Sequence, residues 1–264
     1  MSAVQRTAAG LAPRGLPSCQ LRLRGVIFDM DGVLVDSHAV HRKTWRLFLR
    51  SLGREVPDSD LDFILDGRKR GEILRHFLGD LSDEEAGEYG RRKDIIFRRM
   101  QLEVTPVPGV LELIRSLDRA GVALALATSA SRSRALSTLA RLGLEDLFRV
   151  VVTGEDVASG KPDPAGYRMA CARLGIAPEE LLAVEDAIAG VRAAVGAGLR
   201  CLAVALHEEP EKLTAAGAVY VMKDFRAVSA QGLEEILLKD DRLGRSREGT
   251  AARGTNVSSG EAKR

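Results

Sequence analysis

Short apolar runs alternate with amphipathic segments over the second half of the chain. Four runs are bounded by turn residues, as buried strands are: residues 122–127, 150–153, 181–184 and 201–206. Four segments repeat apolar residues at helical spacing: residues 111–120, 133–142, 164–174 and 188–197. A short strand at 219–222 and a helix at 229–238 complete the series. This alternation predicts an α/β fold: a doubly wound, Rossmann-like parallel sheet with helices on both faces.

The first predicted strand is separated from the others by a long helical block. Residues 25–28 form a continuous apolar run with β-branched and aromatic members. Four helices are predicted after it, the last starting at a capping box of Ser82 and Glu85: residues 38–53, 57–65, 71–78 and 82–103. A Thr-Pro-Val-Pro-Gly segment at 105–109 ends the block. We therefore expect an inserted α-helical cap between two parts of an α/β core: cap 37–105, core 23–36 and 106–239.

The two ends of the chain differ in composition from this framework. Residues 1–24 contain four arginines and no acidic residue, and residues 240–264 are rich in Arg, Gly, Ser and Thr. We expect residues 1–22 to form a disordered extension and residues 240–264 a flexible, solvated tail. The first segment lacks the apolar centre of a signal peptide. An organelle transit peptide is the alternative to an unstructured extension, and we favour a cytoplasmic protein.

The overall composition limits the classes of partner. The chain has 264 residues, 45% hydrophobic and 29% charged, which is typical of a soluble globular protein with a full core. A net charge of +2 predicts no nucleic-acid or membrane partner, and no apolar run has transmembrane length. Cys19, Cys171 and Cys201 lack metal-ligand spacing and suit a reducing compartment. We expect a monomer that acts on a small molecule.

Two aspartates follow the first strand with one residue between them. In an extended segment Asp29 and Asp31 point the same way, at the carboxyl end of the strand. Burying both is unfavourable unless a cation neutralises them, so they form either a metal site or an exposed polar turn. A calcium loop is excluded, since its sixth and twelfth positions would be Leu34 and Val40. A nucleotide-binding turn would need glycines here instead of aspartates.

Polar residues follow each of four predicted strands, and such strand ends converge on one crevice in a doubly wound sheet. In chain order they are Asp29 and Asp31, Thr128 and Ser129, Lys161 in a Gly-Lys-Pro loop, and Glu185 and Asp186. Taken alone, each of these four groups is equally well explained as a helix cap or a surface turn. We do not expect polar residues of these types to follow all four strands by coincidence. Acidic oxygen ligands of this kind suit Mg²⁺ better than zinc.

Four segments carry a resemblance to a known family. They are FDMDGVLVDS at 28–37, ATS at 127–129, GKPDP at 160–164 and VEDAxxG at 184–190. In order and spacing, over about residues 24–225, the chain resembles the haloacid dehalogenase-like phosphohydrolases. Its helical block resembles the cap of the β-phosphoglucomutase-like subfamily. The resemblance implies phosphoryl transfer, because the members that cleave carbon–halogen bonds lack the second aspartate, Asp31.

The resemblance also implies a role for each strand-end residue in the chemistry. Asp29 would attack phosphorus and become an aspartyl phosphate. Asp31 would act first as general acid and then as general base. Thr128 and the backbone N–H of Ser129 would hold phosphate oxygens, and Lys161 would neutralise charge between the nucleophile and the phosphoryl group.

The metal ligands are likewise implied by the resemblance. Mg²⁺ would be held by Asp29, the backbone carbonyl of Asp31 and Asp186, with Glu185 in support. The ion would screen the attacking carboxylate from the phosphate and stabilise charge on the transferred group.

The cap would decide which acceptor takes the phosphoryl group. His41, Trp45, Arg70 and Lys93 stand where β-phosphoglucomutases have a histidine, a tryptophan, a phosphate-binding arginine and a lysine. By that resemblance Arg70 binds a distal phosphate, Trp45 forms a wall of the pocket, and His41 and Lys93 couple closure to proton transfer. The alternatives are that Trp45 belongs to the core of the cap, that His41 is exposed, and that any of residues 68–70 binds the phosphate.

Two departures from the mutase pattern favour hydrolysis. Asp66 replaces a lysine of the mutase cap and would repel a second phosphate. Ala130 and Ser131 replace a serine–lysine pair, with Arg132 as a nearby cation that could compensate. We therefore predict a Mg²⁺-dependent phosphatase of a small sugar phosphate. The alternative is a β-phosphoglucomutase that interconverts β-glucose 1-phosphate and glucose 6-phosphate. A non-enzymatic binding module is disfavoured because all four motifs are intact.

Overall fold

The computed structural model describes residues 23–236, and a parallel sheet forms its framework. Its strands are β1 Gly25–Phe28, β2 Val35–Asp36, β3 Thr105–Pro106, β4 Ala123–Ala127, β5 Phe148–Val152, β6 Leu181–Glu185, β7 Arg200–Val204 and β8 Tyr220–Met222. Six of them form the parallel sheet in the order β5-β4-β1-β6-β7-β8. The remaining two, β2 and β3, pair with each other in antiparallel orientation.

Strand β1 occupies the middle of the sheet, between β4 and β6. All four of its residues are buried, as expected for a strand covered on both faces. The chain builds β4 and β5 on one side of β1 and then crosses to build β6, β7 and β8 on the other. This reversal leaves a crevice at the carboxyl end of β1, which is the usual ligand position in open α/β sheets.

Helices cover both faces of the sheet. They are α1 His38–Ser51, α2 Arg70–Leu78, α3 Asp83–Met100, α4 Val110–Arg119, α5 Arg132–Leu142, α6 Ala165–Leu174, α7 Ile188–Gly196 and α8 Pro210–Ala216, followed by helical residues 230–236. Val26 and Phe28 share an apolar cluster with α4 and α5, whereas Ile27 shares one with α6 and α7. Alternate residues of β1 thus face opposite layers. The predicted doubly wound α/β fold is confirmed.

Helices α1, α2 and α3 form the inserted helical cap. They enclose an apolar cluster of their own, whose largest members are Trp45, Phe48, Leu49, Leu61, Ile64, Ile73 and Leu74. The predicted capping box is present: Ser82 accepts from the backbone N–H of Glu85, whose carboxylate accepts from the Ser82 N–H at 2.9 Å. The two linkers of the cap are joined to each other by the β2–β3 pair.

Three features of the fold differ from the sequence prediction. The helix predicted at 57–65 is a 3₁₀ helix, Asp58–Leu65, and its buried residues Leu61 and Ile64 are three apart, which matches the shorter turn. Helix α8 was not predicted because its seven residues bury only Leu213 and give no periodic signal. The β2–β3 pair was not predicted either, since two residues per strand carry no alternation.

The terminal predictions lie outside the described residues. They concern the disordered extension at 1–22 and the tail at 240–264. Between residues 23 and 236, no helix combines the length and the hydropathy that crossing a membrane requires.

Gly109, which directly precedes α4, leads to a prediction about the stability of the fold. Gly109 has φ +82°, and a Cβ there would lie 2.5 Å from the backbone nitrogen of Arg226 and the carbonyl carbon of Phe225. Gly121 has φ +76° with nothing within 4 Å of such a Cβ. We expect G121A to lower the free energy of unfolding by about 1–2 kcal/mol, from backbone strain alone. G109A should lower it by about 1–3 kcal/mol more, because overpacking is added.

Urea unfolding followed by circular dichroism measures both variants. Equal losses in G109A and G121A would contradict the close approach of the backbone at Gly109 to that at Phe225.

Candidate active site

Asp29 stands at the carboxyl end of β1 and is buried, with only 6% of its surface exposed. The Lys161 Nζ donates to Asp29 Oδ1 at 2.6 Å and also to Glu185 Oε1. The Tyr167 hydroxyl donates to the same Glu185 oxygen at 2.6 Å. Burial opposes the charge on Lys161, but the two carboxylates outweigh it and raise the pKa of the lysine. Lys161 is therefore a fixed positive charge beside Asp29.

Three buried carboxylates gather at this point. Ligand oxygens of Asp29, Glu185 and Asp186 lie within 4.8 Å of one another. Burial raises the pKa of Asp29 to about 7; Lys161 opposes this rise and Glu185 adds to it. Burial raises the pKa of Glu185 and Asp186 as well. One lysine does not balance three carboxylates, so the cluster fits a divalent cation with oxygen ligands, such as Mg²⁺.

Asp186 is held against the loop that follows β1. A Cβ on Gly32 would lie 1.9 Å from Asp186 Oδ2, so only glycine allows this approach. The His38 Nε2 lies 3.0 Å from the same oxygen. Burial alone would lower the pKa of His38, but its hydrogen bond to Asp186 outweighs burial and raises it. His38 is thus, beside Lys161, a second hydrogen-bonding partner of the cluster.

The side chain of Asp31 is engaged by three partners away from the carboxylate cluster. Arg134 binds it with two parallel hydrogen bonds, Nη1 to Oδ1 at 2.8 Å and Nη2 to Oδ2 at 2.5 Å. The Ser37 hydroxyl donates to Oδ1 at 2.6 Å, and the His41 Nε2 lies 3.2 Å from it. Burial would raise the pKa of Asp31, but Arg134 and His41 outweigh it and hold that pKa well below its usual range. Asp31 is therefore an anion in this state.

Thr128 and Ser129 follow β4, and both line the crevice beside Asp29. The Thr128 hydroxyl accepts from the backbone N–H of Ala130 at 3.2 Å. The Ser129 hydroxyl donates to the backbone oxygen of Gly67 in the cap. The Ser129 side chain therefore joins core and cap.

One cavity of about 80 Å³ lies between the cap and the carboxyl ends of the strands. All the residues predicted for the site line it: Asp29, Asp31, His41, Trp45, Arg70, Lys93, Thr128, Ser129, Lys161, Glu185 and Asp186. Its floor is mainly acidic and comes from the core, whereas its roof is mainly basic and comes from the cap. Such a cavity suits a small anionic molecule bound between a cation on the floor and basic groups on the roof.

Arg70 is less free to bind a second phosphate than the sequence suggested. Its Nη1 donates to Asp94 Oδ2 at 2.5 Å, and the same carboxylate oxygen accepts from the Ser131 hydroxyl at 3.3 Å. Asp66 is paired with Arg68 at 3.3 Å, and Arg68 also lines the cavity. Two arginines of the roof are thus partly neutralised by carboxylates of the cap.

Trp45 satisfies both of the interpretations left open by the sequence. It is buried in the apolar cluster of the cap and also forms part of the cavity wall. The Lys93 Nζ is buried 5.5 Å from the Trp45 ring and 5.0 Å from the Phe97 ring. Burial lowers the pKa of Lys93 to about 7. His41 stacks on Phe97 at 4.8 Å and is buried, so it is not an exposed position of α1.

Four residues of the site were missed in the sequence: Ser37, His38, Arg134 and Tyr167. Arg132, the cation considered there, instead binds Asp156 at 2.9 Å. Residues 132 and 134 are 200° apart around α5, so they point to nearly opposite sides. Once α5 is assigned, this spacing makes it possible to see that only one of the two arginines can face the crevice.

Comparisons with known proteins agree with the fold. A family model described as haloacid dehalogenase-like hydrolase matches residues 23–198. The chain is 36% identical over 187 residues to hexitol phosphatase A of Escherichia coli, covering 70% of this chain and 84% of that protein. It is 30% identical over 192 residues to the β-phosphoglucomutase of Bacillus subtilis, covering 69% and 83% respectively.

A solved structure of CbbY from Rhodobacter sphaeroides in complex with phosphate superposes with a TM-score of 0.69 at 30% identity. The match covers 80% of this chain and 99% of that one, so it includes cap and core together. As its four motifs predicted, the chain belongs to the haloacid dehalogenase-like hydrolase family, among the members with a β-phosphoglucomutase-like helical cap.

Proposed function

We propose that the protein is a Mg²⁺-dependent phosphatase that hydrolyses a small phosphorylated metabolite, a sugar phosphate, through an aspartyl phosphate. The observation that carries this proposal is the setting of Asp29. Its carboxylate is buried at the end of β1, shares a cluster with Glu185 and Asp186, and is held by Lys161 at 2.6 Å. Relatives named as phosphatases of phosphorylated carbohydrates support the same class of substrate.

The two halves of the reaction use Asp29 and Asp31. In the first, an oxygen of Asp29 attacks phosphorus, the bond to the sugar oxygen breaks, and Asp31 gives that oxygen a proton. In the second, Asp31 takes a proton from water, the water oxygen attacks phosphorus, and Asp29 is released with inorganic phosphate. Lys161 and Thr128 orient the phosphoryl oxygens and offset their charge.

Asp29, Asp186 and the backbone carbonyl of Asp31 would hold Mg²⁺, with Glu185 behind them. The ion supplies screening between the attacking carboxylate and the phosphate, and stabilises charge on the transferred group. His38 fixes the orientation of Asp186, as partners of metal ligands commonly do.

The cap contacts favour hydrolysis over mutase activity. A mutase must bind a second phosphate firmly, whereas the Arg70 guanidinium is paired with Asp94 and the Arg68 guanidinium with Asp66. A β-phosphoglucomutase is the second candidate, because Arg70 and Lys93 line the cavity where that activity would need cations.

The proposed enzyme acts as a monomer, without a nucleic-acid or membrane partner. Each side chain that it uses comes from residues 29–186 of one protomer. Cys171 and Cys201 are free and buried, which suits a reducing compartment such as the cytoplasm.

Asp29→Asn tests the nucleophile. We expect turnover of p-nitrophenyl phosphate to fall by at least about a thousandfold, because an amide cannot form the phosphoenzyme. The fold should persist, since the neutral amide removes a buried charge. Circular dichroism checks the fold. Mass spectrometry of the acid-quenched wild type should find one phosphoryl group on the peptide that contains Asp29. Activity in purified D29N, or a phosphoryl group on another residue, would contradict the assignment.

Removing the metal tests the carboxylate cluster. We expect excess chelator to abolish hydrolysis and added Mg²⁺ to restore it, because three buried carboxylates otherwise repel the phosphate. Asp186→Asn should raise the Mg²⁺ concentration for half-maximal activity by about 10-fold or more. Asp118→Asn, on the exposed face of α4, is the matched control and should leave it unchanged. Full activity of the wild type in chelator would refute the metal site.

A product assay separates the two candidate functions. The enzyme is given β-glucose 1-phosphate with a trace of β-glucose 1,6-bisphosphate, alongside a panel of phosphorylated sugars. We expect inorganic phosphate as the product. Glucose 6-phosphate without free phosphate would establish the mutase instead.

A further inference from the structure

The pair of Arg134 and Asp31 blocks the step that Asp31 performs in the proposed function. Both carboxylate oxygens are bound by the guanidinium, at 2.8 and 2.5 Å, and the Ser37 hydroxyl occupies one of them as well. Oδ1 is occupied by its partners and Oδ2 carries the second bond to Arg134, so the bidentate guanidinium holds Asp31 as a carboxylate and opposes the protonated form that the leaving group requires. Arg134 must therefore leave Asp31 before the reaction proceeds, and a guanidinium that is largely buried requires another anionic partner.

Arg134 also borders a second cavity, whose lining includes neither Asp29 nor Asp31. It has a volume of about 220 Å³ and lies between the C-terminal half of α3 and helix α5, beside the linkers at Val35 and Val104. Arg134 and Asp94 border both this α3–α5 cleft and the catalytic cavity. The two spaces therefore meet at the residue that holds Asp31.

The α3–α5 cleft carries an excess of positive charge. Its lining includes three arginines, Arg98, Arg134 and Arg141, and a single acid, Asp94. That acid is already bound by Arg70. Arg141 donates to backbone oxygens of residues 101 and 104 and so joins α5 to the end of the cap. The Arg98 guanidinium has no hydrogen-bond or ion-pair partner among residues 23–236.

The cleft also contains the uncharged groups that an oxyanion site needs. The hydroxyl-bearing residues Ser133, Ser137 and Thr138 of α5 line it. The Phe97 ring, over which the Arg134 guanidinium lies at 5.3 Å, forms part of the wall. A guanidinium lying on an aromatic face can change its anionic partner while keeping this contact.

We propose that the α3–α5 cleft binds a small oxyanion between Arg98 and Arg134, and that this anion draws Arg134 away from Asp31 and frees Asp31 for proton transfer. The inference rests on the proposed function for the role of Asp31, but the binding site itself does not. The oxyanion is either a separate molecule or a second phosphate or carboxylate group of the substrate. Both sources present the same chemistry to the two arginines.

Crystals soaked in selenate locate the anion without reference to activity. The anomalous signal of selenium should appear in the cleft, near Arg98 and Arg134, with the Arg134 guanidinium turned from Asp31. Selenate found only in the catalytic cavity would overturn the proposal. Because this test needs no turnover, it succeeds or fails independently of the phosphatase assignment.

Kinetics test the link between the cleft and Asp31. The measurement is kcat for p-nitrophenyl phosphate at saturating substrate, with sulfate replacing chloride at constant ionic strength. Saturating substrate removes the competition of sulfate in the catalytic cavity. We expect kcat to rise about fivefold in the wild type, the lower end of usual couplings between sites. Arg98→Gln should abolish the rise, and Arg99→Gln, the exposed neighbour on α3, should retain it.

The source of the anion is decided by comparing fructose 1-phosphate with fructose 1,6-bisphosphate. If the substrate supplies it, the bisphosphate should have the higher kcat/KM in the wild type and R99Q but not in R98Q. If a separate molecule supplies it, sulfate should activate hydrolysis of both substrates equally. Absence of both sulfate activation and a bisphosphate preference would overturn the proposal, as would equal activation of R98Q.

Discussion

The structure depends on the burial of three carboxylates at one point of a parallel sheet. Asp29, Glu185 and Asp186 come from the ends of two adjacent strands, so their proximity is fixed by the register of β1 and β6. Burial makes their mutual repulsion larger, and one lysine compensates only part of it. The sheet thus holds a preformed site of excess negative charge. A divalent cation bound there would reduce the repulsion between the carboxylates and would allow a phosphate to bind beside them.

The charge arrangement explains why the cap is needed. The floor of the cavity is acidic and would repel a phosphate ester, whereas the roof contributes Arg68, Arg70 and Lys93. A bound phosphate dianion would lie between the cation on the floor and these groups. The cap covers this space, and the exclusion of water from it strengthens each of these interactions. The cap also meets the core through Lys69, whose Nζ donates to the backbone oxygens of Val157 and Ala158 at 2.6 and 3.0 Å.

The sequence predicted those parts of the site that one strand or one turn can specify. Asp29 and Asp186 could be identified because the end of a buried strand has a fixed place in a doubly wound sheet, and Lys161 because its Gly-Lys-Pro loop is one of the four segments that resemble the family. Arg134 could not, because its role depends on which side of α5 faces the crevice and on where α3 places Phe97. The pairing of Arg70 with Asp94 was also beyond reach, since it joins two helices whose relative position is set by packing. Local sequence signals identified the acidic residues of the cavity floor. Tertiary contacts determine which carboxylates pair with the cations that face this floor.

The surroundings of Asp31 show the same difference between local sequence signals and tertiary contacts. Asp31 belongs to the same motif as Asp29, yet its side chain points toward the cap and the start of α5, where Ser37, His41 and Arg134 bind it. Each of these three partners lies on a different segment: the first linker, a cap helix and a core helix. Any movement of the cap relative to α5 must therefore change the set of groups around Asp31. Asp31, the acid–base residue of the proposed reaction, thus responds to cap position, whereas Asp29, its proposed nucleophile, is fixed at the end of a sheet strand and does not.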